Sequence, residues 1–377
     1  MIRVAIAGTG SVAAACHMPA LAAERHRVQV VAAVDVDSVR VKAFCGEHGI
    51  PQAYSGLNEM LARERPDIVH ICTPPHAHAR QVVDCLKAGA WVWCEKPPCL
   101  SLAEHDRITA AERGTFAAVV FQHRFGSGAR HLRRLVETGE LGRPMVALCV
   151  TAWHRDRSYY AAPWRGRWDT EGGGPTMGHG IHQMDLMLSM FGDWEEIRAM
   201  ARRVDRPVET EDVSVASVRF ANGAMGSVLN SVLSPREESY LRFDFDRATV
   251  ELRHVNGYHN DDWTCSRPDL WQPPDDVAGS HAAQLAALLD SYERRERPAM
   301  SGKDSRATLE FVTGLYAAAF TGRPVRRSDL TMDNPFYHRL DGGTTPLTVR
   351  RRPGVPLRRP GGCARPAGRR RPTPRRR

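Results

Sequence analysis

A short apolar run, Ile2–Ala7, breaks at Gly8 into Gly8-Thr9-Gly10-Ser11-Val12-Ala13, and an Ala-rich stretch follows to Ala23. A strand that feeds through a glycine turn into a helix leaves few folds open. The helix N-terminus presents unpaired N–H groups and positive potential beside the carboxyl end of the strand. In the spacing G-x-G-x-x-A, Gly8 permits the tight turn, Gly10 lets the backbone approach a pyrophosphate, and Ala13 allows close helix–strand packing. Thr9, Ser11 and Val12 complete the same candidate cofactor loop. The second apolar run, Val28–Val34, ends in Asp35, 22 residues beyond Ala13. A carboxylate there accepts hydrogen bonds from an adenosine ribose diol and repels a 2′-phosphate, and Asp37 adds to the repulsion. This argues for NAD over NADP; Arg40 is the one nearby group that argues otherwise.

The alternation continues. Strands are predicted at Asp67–Thr73, Ala90–Cys94 and Ala117–Phe121, with helices from Ser38 to His48, His76 to Ala88 and Ser101 to Arg113. Continuous apolar strands separated by helices imply a parallel sheet buried on both faces. The fold class expected is α/β, with a Rossmann dinucleotide-binding domain over residues 1–123.

The rhythm then changes. Helices are predicted at Ser127–Glu137, Ile181–Phe191, Ser280–Arg294 and Asp304–Thr321. Strands are predicted at Pro144–Ala152 and through Glu195–His254, where Asn222-Gly223 marks a hairpin between Val213–Phe220 and Ala224–Leu233. These elements suggest a second, α+β domain over 124–346 with a large open, mostly antiparallel sheet. Residues 156–178 lack periodicity and read as a long functional loop.

The net charge of +9 does not describe the body of the chain. Residues 347–377 hold twelve Arg and no acid, which leaves 40 basic against 43 acidic residues, a net of −3. The tail reads as disordered, and binding to nucleic acid is not expected. No run of 18 apolar residues is present, so no membrane span is expected. The nine cysteines contain no C-x-x-C pair, which points to reduced thiols in a cytoplasmic protein and to no metal centre.

Two segments end successive strands on the cofactor side of the sheet: Thr73-Pro74-Pro75-His76-Ala77-His78 and Glu95-Lys96-Pro97. Thr73, Pro74, His78, Glu95 and Lys96 are therefore candidate cofactor contacts, because ligands of open α/β sheets sit beyond strand carboxyl ends. Trp153, His154, Arg155, Tyr159, Tyr160, Trp164, Arg165, Arg167 and Trp168 crowd one later stretch. Aromatic faces with Arg donors suit a polyhydroxylated or acidic ligand, and equally suit an oligomer interface. Arg124 follows the last Rossmann strand and is a candidate for the same cleft.

Taken in order, GTGSVA, Asp35, TPPHAH, CEKP, GGGPTMGHGIHQMD and GRPV near Gly322–Val325 make the chain resemble the Gfo/Idh/MocA oxidoreductases over about residues 1–340. The resemblance implies a Rossmann domain, a second domain whose open sheet carries oligomer contacts, and a homodimer or homotetramer. It implies hydride transfer between NAD and a hydroxyl-bearing carbon of a sugar, inositol or related polyol. It places the catalytic Lys at Lys96 and the catalytic His at His182, in the first turn of a helix whose dipole favours neutral imidazole. Asp185, three residues on, shares that helix face and is expected to orient His182 or bind a substrate hydroxyl, unless it is a buried structural carboxylate. The chain departs from the family at Gly178, where many sugar and inositol dehydrogenases carry an Asp four residues before the His. His179 is a candidate substitute and substrate contact; the other route for the proton is Lys96 and water. The departure leaves two alternatives: a non-redox sensor of NAD or sugar on the same fold, and an NAD-recycling glycosidase.

Overall fold

The computed structural model describes residues 1–344, so the expectations for 347–377 lie outside the described residues. Six strands, β1 (Ile2–Ala7), β2 (Val28–Val34), β3 (Gln52–Tyr54), β4 (Ile68–Ile71), β5 (Trp91–Cys94) and β6 (Ala117–Val119), form one sheet in the order β3-β2-β1-β4-β5-β6. Every pairing is parallel. The crossovers run through α1 (Met18–Ala23), α2 (Ser38–His48), α3 (Leu57–Glu64), α4 (Pro75–Lys87) and α5 (Leu102–Ala111). The strand order reverses between β1 and β4, which opens a crevice at their carboxyl ends.

Local chemistry sets the helix ends. Asp37 caps α2 by accepting from Val39 N and Arg40 N at 3.1 and 3.0 Å. Ser101 caps α5 through Glu104 N at 3.1 Å, while the Glu104 carboxylate accepts from Leu100 N. The expected first helix begins with a π-helical turn, Ala13–His17, before α1. Pro19 lies just past that turn, inside the continuous helical run, where it removes one backbone donor. β3 and α3 had no counterpart in the sequence reading, because β3 is largely exposed and lacks an apolar run.

The second sheet has eight strands: β7 (Pro144–His154), β8 (Trp194–Arg202), β9 (Val213–Phe220), β10 (Met225–Ser231), β11 (Leu233–Phe245), β12 (Thr249–Arg253), β13 (Trp263–Cys265) and β14 (Val325–Arg326). Their order is β13-β12-β11-β7-β10-β9-β8-β14. The sheet is mixed: β7 and β10 run parallel, and the other six pairings are antiparallel. The expected hairpin joins β9 to β10, with Gly223 at φ 89°. Among the helices of this half, α6 (Ser127–Glu137), α7 (Ile181–Phe191), α8 (His281–Arg294) and α9 (Lys303–Thr321), α7 and α9 cover one face of the sheet.

α8 falls in the 124–346 segment, yet its apolar face lies on the first sheet. Leu285, Leu288 and Leu289 are buried against Ile2, Val4, Ile6, Val28, Ile68, Trp91 and Trp93. Each such leucine contributes about 1.5–3 kcal/mol. Gln284 extends the edge strand β6 by accepting from Phe121 N at 3.0 Å and donating to Val119 O at 2.7 Å.

Candidate active site

The crevice is built first by Gly8. Its φ is 91°, and a Cβ there would stand 2.7–2.8 Å from Cys72 C, Cys72 O and Thr73 N. The turn leaving β1 thus presses directly on the end of β4, and only glycine fits. Among the described residues, and beyond the adjoining turn of the chain, nothing lies within 4 Å of the point that a Cβ on Gly10 would occupy, and Gly10 and Ser11 are both exposed. Val12 is half-buried beside them. The loop therefore shows bare backbone to the crevice at the start of a helix.

Asp35 is buried at the end of β2. It accepts from Thr9 N and Thr9 Oγ1 at 2.8 and 2.9 Å, from Asp37 N at 3.0 Å, and from Arg40 Nη2 at 2.6 Å and Nε at 3.1 Å. Burial alone would raise its pKa; Arg40 and these hydrogen bonds bring it down to about 2. Asp35 therefore ties the glycine loop to β2 and remains an anion at any physiological pH. Arg40, the group that argued for a 2′-phosphate, spends its guanidinium on Asp35. A bare loop at a helix start and an ionised acid at the end of β2 fit a dinucleotide with a free ribose diol.

The two segments beyond β4 and β5 are locked together by His78. Its ring nitrogens lie 2.7 Å from Thr73 O and 2.7 Å from Pro97 O. Two carbonyl acceptors favour a protonated ring, but burial outweighs them and lowers its pKa. Thr73 Oγ1 donates to Gln81 at 2.6 Å, and Pro74 precedes the first turn of α4. His78 is thus a brace between loops, with both nitrogens engaged.

Glu95 differs from the cofactor contact expected of it. Its Oε1 accepts from His17 Nε2 at 3.1 Å and His281 Nε2 at 3.0 Å, and its Oε2 lies 3.2 Å from Lys96 N. His17 Nδ1 in turn faces His70 Nδ1 at 3.1 Å. Burial would raise the Glu95 carboxyl, but the two imidazoles hold it well below the usual range. This buried clasp joins the first helix, the end of β5 and α8, and it aims the next residue outward. The side chain of Lys96 reaches the second domain, where Nζ donates to Gly178 O at 2.6 Å. Burial lowers the Lys96 pKa, against the opposing charge of Glu95.

Gly178 belongs to a π-helical turn, Thr176–Gly180, that runs straight into α7. His182 follows in the first turn of α7. Burial, with Lys96 and His123 nearby, holds its pKa well down, so the ring is neutral. Its Nδ1 is buried and has no partner among the described residues. His179 is buried against Trp153, with ring centroids 5.0 Å apart, and its Nε2 lies 3.3 Å from Tyr159 OH. Trp153 Nε1 donates to Ser239 Oγ at 2.9 Å. The Arg165 guanidinium sits 3.9 Å over the Tyr159 ring and 4.3 Å over Trp164, and pairs with Glu171 at 3.0 Å. The aromatic–arginine stretch thus forms one wall beside Lys96 and His179.

Arg124 and Asp185 are placed differently from expectation. They form a bidentate pair, Nε–Oδ2 and Nη2–Oδ1 both at 2.6 Å, and Thr308 Oγ1 donates to Asp185 at 2.7 Å. Burial pushes the Asp185 carboxyl up and Arg124 opposes it. Each satisfies the other inside the protein, so neither is offered to a substrate. The pair anchors α7 to α9 and to the end of the Rossmann sheet. The Gly172–Gly174 run is also structural: Gly173 has φ 156° and packs on Tyr316 OH, while Gly174 N donates to Glu211 at 3.0 Å. The sequence reading missed Glu171, a buried acid directly before that run; an acid abutting three glycines was its only signal.

Comparison with known proteins agrees with this geometry. A family profile described as an oxidoreductase family with an NAD-binding Rossmann fold matches residues 2–123. A second, described as the GFO/IDH/MocA C-terminal domain, matches residues 129–253. The chain belongs to the GFO/IDH/MocA family. It is an NAD-binding oxidoreductase. Among relatives, D-glucoside 3-dehydrogenase of Escherichia coli is 25% identical, over 86% of this chain and 97% of that protein. D-apiose dehydrogenase of Paraburkholderia graminis is 26% identical, over 81% of this chain and 85% of that one. The WlbA dehydrogenase of Bordetella pertussis, solved with NADH and UDP-GlcNAcA, superposes with a TM-score of 0.78 at 27% identity, covering 86% of this chain and 98% of that one. Among the described residues no helix is long and apolar enough to cross a membrane.

Proposed function

We propose that the chain oxidises a secondary hydroxyl of a sugar, inositol or related polyol, with Lys96 and His182 moving the proton. The observation that carries this reading is convergence. Lys96, from the end of β5, donates to Gly178 O at 2.6 Å, four residues before a neutral His182 whose Nδ1 has no partner among the described residues. One amine with a lowered pKa, beside Arg165, and one neutral imidazole, packed on Phe121 and His123, then supply the two groups that proton transfer needs. When bound, NAD supplies a hydride acceptor. Gly8 and Thr9 shape the turn, Gly10, Ser11 and Val12 would hold its pyrophosphate, and Asp35 would hold its ribose diol. The Lys96 amine takes the hydroxyl proton, and His182 orients the oxygen and shares that proton. The named relatives, two sugar dehydrogenases, support a polyhydroxylated substrate.

The test is NADH formation from the full chain with NAD and a panel of aldoses, glycosides, inositols and sugar acids. At least one panel member should give steady NADH production, with NADP much poorer. Release of an aglycone without net NADH would instead mark an NAD-recycling glycosidase. Tight NADH binding with no turnover of any panel member would mark a sensor.

The same reading includes self-assembly through the uncovered face of the second sheet. Register places Val146, Met225 and Met200 on one side, opposite the face packed on α7 and α9, and they are 40%, 50% and 65% exposed. Light scattering should give two or four times the 41.9 kDa chain mass, and a monomer would refute this part.

A further inference from the structure

Lys96 is half-buried at a junction where several charges meet. Glu95 precedes it; Arg165 and Glu171 face it from the loop before α7; His179 and His182 face it from the π turn and α7; His123 faces it from the segment after β6. Of these, Glu95 is already engaged by His17 and His281. Glu171 is different. It is buried, its Oε2 accepts from Gly166 N at 2.5 Å, and its Oε1 pairs with Arg165 at 3.0 Å. Arg165 also donates to Tyr159 OH, which reaches His179. That same Oε1 stands 3.6 Å from where a Cβ on Gly178 would lie, and beyond the adjoining turns of the chain no other heavy atom among the described residues comes within 4 Å of that point. Gly178 in turn supplies the carbonyl that holds Lys96 Nζ. The carboxylate of Glu171 therefore borders the point from which a side chain at 178 would project.

We propose that Glu171 is the positioning carboxylate of this site, acting through Lys96 from seven residues upstream of Gly178. This rests on the dehydrogenase reading above. As the carbinol C–H electron pair leaves as hydride for nicotinamide, the O–H bond breaks, its proton forms a bond to Lys96 Nζ, and the C–O bond becomes a carbonyl. Positive charge then appears on Lys96 inside a site that Arg165 already makes positive. A fixed anion beside it stabilises that charge as it develops. Glu171 also opposes the effects of burial and Arg165, which both favour the neutral amine.

The influence of the carboxylate on Lys96 can be read directly. The full-length chain has four lysines, Lys42, Lys87, Lys96 and Lys303. Carbon-13 reductive methylation therefore gives a simple spectrum, in which Lys96→Arg assigns the Lys96 signal. Glu171→Gln should lower the pH at which Lys96 titrates and reduce kcat on the order of 10²-fold, with a smaller change in KM. The rising limb of the oxidation pH profile should move to lower pH. Adding Gly178→Asp to Glu171→Gln should restore the Lys96 titration and part of kcat, while Gly178→Asn should not. Gly178→Asp alone, which leaves Glu171 in place, should raise the Lys96 titration above wild type and tests the contact if Glu171→Gln folds poorly. An unchanged Lys96 titration in folded Glu171→Gln, or no response to Gly178→Asp in either background, overturns the proposal. Failure of the dehydrogenase reading looks different: the wild type gives no NADH from any substrate, and the lysine titrations still respond.

Discussion

Lys96→Ala lowers kcat by about 10²–10⁴-fold, the usual loss for a positioned acid–base group. The residue reaches across the crevice from the end of β5, and its amino group is held by Gly178 O at 2.6 Å in a half-buried site. Lys96→Arg separates the two roles it combines. Arginine keeps the charge and can still donate to the carbonyl, but it does not give up its proton near neutral pH. Its kcat should therefore fall almost as far as that of Lys96→Ala, while NADH binding followed by fluorescence stays close to wild type. In the wild type, oxidation needs the neutral amine. The rate should rise with pH through the Lys96 pKa, and because burial lowers that pKa, the rise should come below the range of an ordinary lysine. Activity of Lys96→Arg within tenfold of wild type would remove Lys96 from proton transfer.

Stability should fall steeply as pH drops from about 6.5 toward 4. Seven histidines, His17, His70, His78, His105, His123, His179 and His182, have pKa values lowered chiefly by burial. In each case the unfolded chain binds a proton that the folded chain refuses between the two pKa values. Acid therefore favours unfolding through that window, and the stabilisation is complete only above the unfolded value. For His105 and His123, brought from 6.5 to about 4, the loss is about 3 kcal/mol each. Burial raises the carboxyls of Glu171, Asp185 and Glu211, which offsets part of this near their own titration. Below the ordinary carboxylate range Asp35 and Glu95 add to the loss, since their folded values are depressed. Urea unfolding midpoints measured from pH 8 to 4 should decline most between 6.5 and 4.5. A flat profile from 7 to 5 would show that these rings are not held neutral in the fold.

Much of the site's frame was legible in the chain itself. Gly8, Gly10 and Asp35 could be marked because each belongs to a short local pattern, a turn before a helix or the end of an apolar strand; Lys96 could be placed beyond a strand end in the same way, while its catalytic role and the choice of His182 came from the family resemblance. Such patterns fix position relative to a strand end, and in a parallel sheet all strand carboxyl ends meet on one edge. Partnerships between distant side chains were not legible. Arg124 and Asp185 carry suitable chemistry for a substrate, but they lie 61 residues apart and satisfy each other in the core. Glu95 was read as a cofactor contact because it lies beyond a strand's carboxyl end; its side chain instead turned to His17 and His281, which the chain places 78 and 186 residues away.

By itself the sequence determined the alternation of strand and helix, the dinucleotide loop, the acid at the end of β2 and the absence of a side chain at 178, because these depend on spacings of a few residues. Only the tertiary structure decided that α8 returns to cover the first sheet, that Asp35 and Arg40 are paired, and that a carboxylate from position 171 lies beside Gly178. Those outcomes depend on burial and on which way each side chain turns once the chain has packed, whether its partner is five residues away or about 280 residues along. The cost of burying a charge selects its partner, and that cost exists only once the fold has closed around it.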